Sequence, residues 1–489
     1  MKNIITDKRG FILLLTFIFM TVLTVITGAL IYMTASDMRN IAPQSDDVNM
    51  EGLADAGIER AHRAIRDDYI NTTSTGAADL RGGDTSLSVS VGNPNNMRYI
   101  DSATSGINSN SDQAILRTFD SSYMNTRIIS VQIHVRADRD GSASGAATIQ
   151  AAYTTDGVSY TPVITRALTT TVLDYYVTVP VLASWSILMG SNFRLRTMRV
   201  EGNSSVNLES MFLRVTYGID TPAEDWATGS YASFPVSLSG GTIESVTVTD
   251  EASKVHLNYA SQALLSNLLT NLSIASAPTK ATNIVSYRGV GLTNPFDSVE
   301  ELQQVTGITA ADYAAIKDYV TVYSFVNSNV FRPTGPRAPV NINTASFEVL
   351  KAIFDSLNLG ASDPISLAND IITFRGSTPF TCFYSSNAAV TTDFFDFVDA
   401  RAYLSNAERN RVVDNCDASS LVPVSGFGGQ NCLTTELCYA GYSFMIDSLA
   451  KYNNRKLRVK TLRGNDGAHV FSTHAGDTVL SGWRKENFE

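Results

Sequence analysis

The residue types able to do chemistry are few and scattered. The five histidines, His62, His134, His256, His469 and His474, form no cluster, and the nearest pair, His469 and His474, falls in a strand-like tail. There is no HExxH for metal-assisted hydrolysis, no GxSxG nucleophile turn and no phosphate-cradling loop, so no enzymatic activity is expected. The four cysteines, Cys382, Cys416, Cys432 and Cys438, share one C-terminal stretch. An even, clustered set with no CxxC and no histidine among it reads as two disulfides stapling a loop-rich region of an exported chain, not as a metal site. Their pairing stays open. "DRDG" at 138–141 offers Asp138 and Asp140 as weak calcium candidates. Calcium takes about six to eight oxygens, and two aspartates beside a glycine are also ordinary turn chemistry. No other cofactor is expected.

The elements that would carry these residues begin with an apolar helix. From Phe11 to Ser36 there is no charge, while Lys2, Lys8 and Arg9 precede it. That stretch can cross a hydrocarbon core of about 30 Å, and its basic flank keeps the N-terminus cytoplasmic. The processing point stands before the apolar run, at Gly10–Phe11, where a secretory signal would be cut after a shorter one. Beyond the span, Met50, Ala54, Gly57/Ile58, Ala61 and Ile65 recur at helical spacing, opposite Glu51, Asp55, Glu59, Arg60 and Arg63. The helix is expected to end near Asp68, with Pro43 kinking or interrupting it.

Residues 70–125 read as linker and the start of a β module, and 126–218 as a β-sandwich. Runs such as "RIISVQIHVRAD" and "SSVNLESMFLRVTYGI" alternate apolar and polar residues between turn signals. "DRDGSASG" and "TTDGVSY" are expected as hairpin turns. Trp185, Tyr153, Tyr160, Tyr175 and Tyr176 could serve a sugar-stacking face or the core. The pattern resembles jelly-roll modules that bind carbohydrate or surfaces.

An internal repeat follows. "VHLNYASQALLSNLL" from Val255 and "VNINTASFEVLKAIF" from Val340 share V-x-[LI]-N-x-A-S-x-x-[LV]-L; each leads to a second helix, "NIVSYRG" or "DIITFRG", and then to Pro-Phe. Asn258 and Asn343 are expected to cap the first helices, with Ser261 and Ser346 competing. Arg288 and Arg375 suit helix C-termini, with Gly289 and Gly376 as C-caps. Between the copies, "TGIT" sits in a helix-hairpin-helix pattern. A DNA-binding hairpin would offer backbone amides to phosphate, but the second glycine is missing and Glu300, Glu301 and Asp312 crowd it. With a net charge of -10, nucleic acid is not an expected partner.

These features together carry a resemblance. A short basic leader, Gly, Phe and an unbroken apolar helix resemble a type IV prepilin or pseudopilin. "VTVTDEASKVHLNYAS", "SVEELQQVTGIT…YVTVYS" and "VNINTASFEVL", with Lys254 and the closing "LRVKTLRG" and "VLSGWRKENFE", resemble the K-type minor pseudopilin of type II secretion systems over about 1–68 and 220–489. The resemblance implies cleavage after Gly10 by prepilin peptidase and N-methylation of Phe11. It also implies partnership with other minor pseudopilins or pilins and the inner-membrane assembly platform. The chain would sit in the bacterial inner membrane in a single pass, head in the periplasm, and then at a filament tip. Most such subunits have Glu as the fifth mature residue, pairing with a neighbour's terminal amine; this family departs there, and here the position is Leu15, which implies no neighbour above.

The expected fold class is α+β. A type IV pilin-like fold, a long N-terminal helix plus antiparallel sheet, would hold two insertions: an all-β jelly-roll-like sandwich and a helical SAM-like/helix-hairpin-helix repeat domain. The expected divisions are 1–10 leader, 11–69 transmembrane and stem helix, 70–125 and 126–218 as above, and 219–257 first sheet part. They continue with 258–330 first helical repeat, 331–439 second repeat and cysteine-rich loops, and 440–489 last strands. The expected role is a tip cap that initiates a secretion pseudopilus or related pilus. The alternatives are a tip adhesin binding glycan or a surface through the sandwich and, less favoured, a DNA-uptake component.

Overall fold

The computed structural model describes residues 8–72, 74–80, 82–87, 105–110, 112–119, 126–141, 145–238, 240–324, 326, 338–357, 359–381, 394–416, 437–438, 440–453, 455–464 and 484–488. Helix α1 (Lys8–Asn71) has 64 residues, about 96 Å at the α-helical rise. It continues through Pro43, contrary to the expected interruption, and passes Asp68. A proline removes one backbone bond but leaves those on either side able to hold the helix. Its two halves differ. Leu15–Met33, with mean hydropathy 2.1, has no buried residue. Thr21, Thr24 and Thr27 each return a hydroxyl to the carbonyl four residues back, at 2.7–2.8 Å, so they add no unsatisfied polar group to that surface. In the second half Met50, Leu53, Ala54, Ile58, Ala61 and Ile65 are buried, as the stripe predicts.

A sandwich of two five-stranded sheets follows. Its strands are β1 (Thr75–Leu80), β2 (Gly82–Leu87), β3 (Ser105–Ile107), β4 (Gln113–Phe119), β5 (Ile128–Arg139), β6 (Ala147–Thr154), β7 (Thr161–Ala167), β8 (Leu173–Thr178), β9 (Arg194–Gly202) and β10 (Val206–Gly218); α2 (Trp185–Leu188) lies between β8 and β9. One sheet runs β1-β10-β5-β8 with β3 on β10, and the other β2-β4-β9-β6-β7. Val131, Ile133, Val135 and Ala137 of β5 alternate into the core opposite Leu116, Ile149 and Leu195 of the second sheet. The 70–125 stretch, expected as linker and the start of the β module, supplies β1 to β4, its weak strand propensity yielding to the pairing partners that tertiary structure provides. One expectation changes. "DRDG" is no hairpin turn: β5 pairs with β10 and β8, whereas β6 pairs with β7 and β9, so the 140–146 connection crosses between sheets. "TTDGVSY" does turn a hairpin, β6 to β7, with Asp156 Oδ1 accepting from the amides of Val158 and Ser159 at 2.8 and 2.7 Å.

A short helix α3 (Asp225–Thr228) leads into β11 (Val236–Leu238) and β12 (Gly241–Asp250). The chain then enters the two helical repeats. The first holds β13 (Val255–His256), α4 (Gln262–Asn271), α5 (Ala277–Arg288), α6 (Ala310–Ile316) and β14 (Val320–Thr321). The second holds β15 (Val340–Asn341), α7 (Phe347–Asp355), α8 (Asp363–Arg375), α9 (Phe394–Asp399), α10 (Asn406–Cys416) and β16 (Leu437–Cys438). Each repeat is closed by its own two-residue parallel bridge, β13 on β14 and β15 on β16. The chain returns as β17 (Ser443–Tyr452), β18 (Arg455–Gly464) and β19 (Arg484–Phe488), giving an antiparallel sheet in the order β11-β12-β17-β18-β19. Strands β12 and β17 pair directly, so 251–442 leaves and re-enters between neighbours.

The stem half of α1 lies on that sheet around a core of Ile58, Ala61, Ile243, Val246, Ile446 and Trp226, whose ring meets Phe444 edge-on at 4.9 Å. Helix and sheet approach closely at Gly57: an added Cβ would stand 2.4 Å from Ser448 Oγ and 2.9 Å from Val246 Cγ2. A second core runs continuously through sandwich and repeats. Tyr217 of β10 donates to the Thr381 carbonyl at 2.7 Å across that junction.

Candidate functional site at the neck

The repeats are built by one device used twice. Asn258 Nδ2 donates to the Phe296 carbonyl at 2.9 Å while its Oδ1 accepts from the Phe296 amide at 2.8 Å; Asn343 does the same with Phe380, at 2.9 and 2.9 Å. These asparagines are not helix caps. Ser261 and Ser346 hold that position, accepting from Leu264 and Val349 amides at 3.1 and 3.3 Å. A cap must stand within three residues of the amide it satisfies, and the serines do. Arg288 and Arg375 likewise reach beyond their helix ends. Arg288 donates to the carbonyls of Leu257 and Ala260, and Arg375 to those of Ile342 and Ala345, at 2.5–2.7 Å. Burial lowers both guanidinium pKa values, Arg375 to about 10. Gly289 has the left-handed φ of a C-cap, +73°, whereas Gly376 stays helical at −62°.

Asp250 and Glu251, at the end of β12, join the sheet to both repeats. Asp250 accepts from Asn341 Nδ2 at 2.9 Å and Thr344 Oγ1 at 2.6 Å, binding the second repeat. Glu251 accepts from Thr321 Oγ1 of the first repeat and pairs with Lys254 at 2.7 Å. Burial, opposed by these bonds, raises Asp250 to about 6.

Below this hinge, Asp68 at the end of α1, Asp220 after β10 and Glu224 before α3 place carboxylate oxygens within 4.8 Å of one another. Asp220 accepts from the Gly441 amide; Glu224 accepts from the Thr221 amide at 3.0 Å and Trp226 Nε1 at 2.8 Å. Burial is the first cause for all three: it raises Asp68 to about 6 with help from Asp225, Glu224 to about 7 with help from Asp68, and Asp220 well above the carboxylate range with help from Glu224, Asp250 and Asp68. Asp68 and Glu224 border a cavity of about 920 Å³ that Arg60, Arg63 and Tyr231 also line. Such a trio can take up a proton or share a cation; with one ligand oxygen from each residue it falls short of the roughly six to eight that calcium takes.

The sequence-derived sites are not brought together. Gly10 and Phe11 lie in the first turns of α1, and Leu15 is exposed at 57%, far along the helix from the neck. Asp138 is the penultimate residue of β5, where Asn207 Nδ2 donates to it at 3.2 Å. Burial raises its pKa, and neither it nor Asp140 belongs to the carboxylate trio. Cys438 is buried in β16 and Cys416 ends α10; Cys382 and Cys432 lie outside the described residues, so the expected disulfides do too. In the "TGIT" hairpin, Gly307 takes φ +87°. Asp312 accepts from the Thr309 amide at 2.8 Å and pairs with Lys280 at 2.7 Å, which hold it at about 2. That carboxylate stands where a phosphate would seek the amide.

With this geometry established, the similarities to known proteins are these. A helix-hairpin-helix motif model matches residues 250–321. No curated protein sequence matches the chain. Among solved structures, the GspK-GspI-GspJ complex of the enterotoxigenic Escherichia coli type 2 secretion system is similar at 17% identity, covering 55% of this chain and 87% of that one, with a TM-score of 0.31. The CBM22-1 xylan-binding domain of Paenibacillus barcinonensis Xyn10C covers 29% of this chain and 86% of its own, at 11% identity and TM-score 0.19. The CBM32 of AlyQ, in complex with 4,5-unsaturated mannuronic acid, covers 28% and 97%, at 15% identity and TM-score 0.19.

Proposed function

We propose that this chain is a non-enzymatic minor pilin-like subunit that caps a filament tip and primes assembly from the membrane, in a type II secretion pseudopilus or a related type IV pilus. The single observation that carries the reading is the division of α1. One half is apolar and bare over Leu15–Met33, and the other is buried on the antiparallel sheet. A bare apolar half requires lipid or neighbouring helices around it. Prepilin peptidase would cut after Gly10 and leave Phe11 as the methylated N-terminus. The mature helix would anchor in the inner membrane, head in the periplasm, and then pack against other minor pseudopilins. Leu15 supports the tip position: an apolar residue there gives a neighbour's amine no partner, and a buried charge without one is costly. Gly10→Ala is the test. The expected result is uncleaved protein and no assembly; normal filaments bearing uncleaved protein would overturn the reading. A second reading, an adhesive tip, is favoured by Arg117 of β4 and Arg194 and Arg196 of β9, which share one outer face of the sandwich.

A further inference from the structure

The outer face of the β2-β4-β9-β6-β7 sheet runs against the acidic character of the chain. Arg194 and Arg196 project from the same face of β9, two residues apart, about 6.8 Å along the strand. Arg117 of β4 is the direct cross-strand neighbour of Arg194, a separation of about 5 Å. Like charges directly opposite destabilise a sheet unless something offsets them. Neither Arg194 nor Arg196 forms an ion pair with a described carboxylate, and the Nε of each is buried without a hydrogen-bond partner. Their positions are nonetheless fixed. The Arg196 guanidinium lies 3.9 Å over the Tyr160 ring. Arg194 lies beside the 154–160 hairpin, where a Cβ at Gly157 would be 3.6 Å from its Nη2.

We propose that this face binds an acidic polysaccharide, a polymer carrying a carboxylate on successive sugars. Guanidinium groups match carboxylates as two parallel hydrogen bonds, and charges at regular spacing on a flat sheet suit a repeating anion. Nucleic acid fits less well. Arg196 covers the Tyr160 ring, leaving it closed to base stacking. The proposal deepens the adhesive reading and rests on it for where the face is displayed.

The test is affinity electrophoresis of the full chain in detergent, through gels containing polygalacturonate, neutral xylan or single-stranded DNA. Retardation by polygalacturonate alone is expected, weakening with salt. R194Q/R196Q should raise the apparent Kd at least 10-fold. R194K/R196K, which keeps charge but loses the paired donors, should fall between. R63Q on the exposed face of the stem helix should change nothing, and all variants should unfold at the parental temperature. Retardation by xylan but not polygalacturonate would overturn the acidic ligand while leaving an adhesive tip standing. Equal retardation by DNA, indifference to R194Q/R196Q, or no retardation in any gel would overturn the proposal.

Discussion

Asn258 and Asn343 each close a loop by donating to and accepting from one phenylalanine backbone. Their conversion to alanine strands a buried amide and a buried carbonyl at once. Each substitution should destabilise the head by roughly 2–4 kcal/mol, read by denaturant unfolding. Asn258→Asp should not restore the loss, since a carboxylate cannot donate to the Phe296 carbonyl; full recovery would show that packing alone matters. The repeat was legible because its letters recur at matched offsets. The asparagine role was not, because Asn and Ser both suit helix entry and only the distant Phe296 and Phe380 decide between them. Asp250 and Glu251 were visible as a dipeptide, but their partners Asn341, Thr344 and Thr321 stand too far along the chain to be paired by pattern.

At the scale of elements, the neck is where stem, sandwich and sheet meet, and its carboxylates make it pH-sensitive. Asp68, Asp220 and Glu224 are all raised in the folded chain. The folded state therefore favours their protonated forms. The stabilisation is complete below the ordinary carboxylate range near 4 and is lost as pH rises through about 6 to 7. Glu224→Gln should raise the unfolding temperature at pH 7.5 and lose that advantage by pH 4.5; an equal gain at both would exclude titration as the cause. Gly57→Val tests the helix–sheet contact. It should cost about 1–3 kcal/mol through overpacking against Ser448 and Val246 and render β17 more susceptible to limited proteolysis. The stem stripe was readable from spacing alone, since a helix buries every third or fourth residue. The crossing between β5 and β6 was not, because alternation looks the same whichever sheet a strand joins.

On the scale of the whole molecule, a slender apolar helix carries a head in which 251–442 loops out between two adjacent strands and a sandwich precedes the sheet. Such bulk above an uncovered apolar anchor suits a single terminal position better than a repeated one. The sequence conveyed this division plainly, because a charge-free run followed by a helical stripe needs no tertiary information. Under the proposed cleavage after Gly10, Leu15→Glu would place an acid at the fifth mature residue; tagged protein should still be found only at filament ends, and label along the shaft would show that Leu15, not the bulk of the head, excludes the chain. The most direct measurement is the position of tagged protein on sheared filaments. The account predicts one label at one end of each filament. Label spaced along the shaft at stoichiometric levels would contradict it.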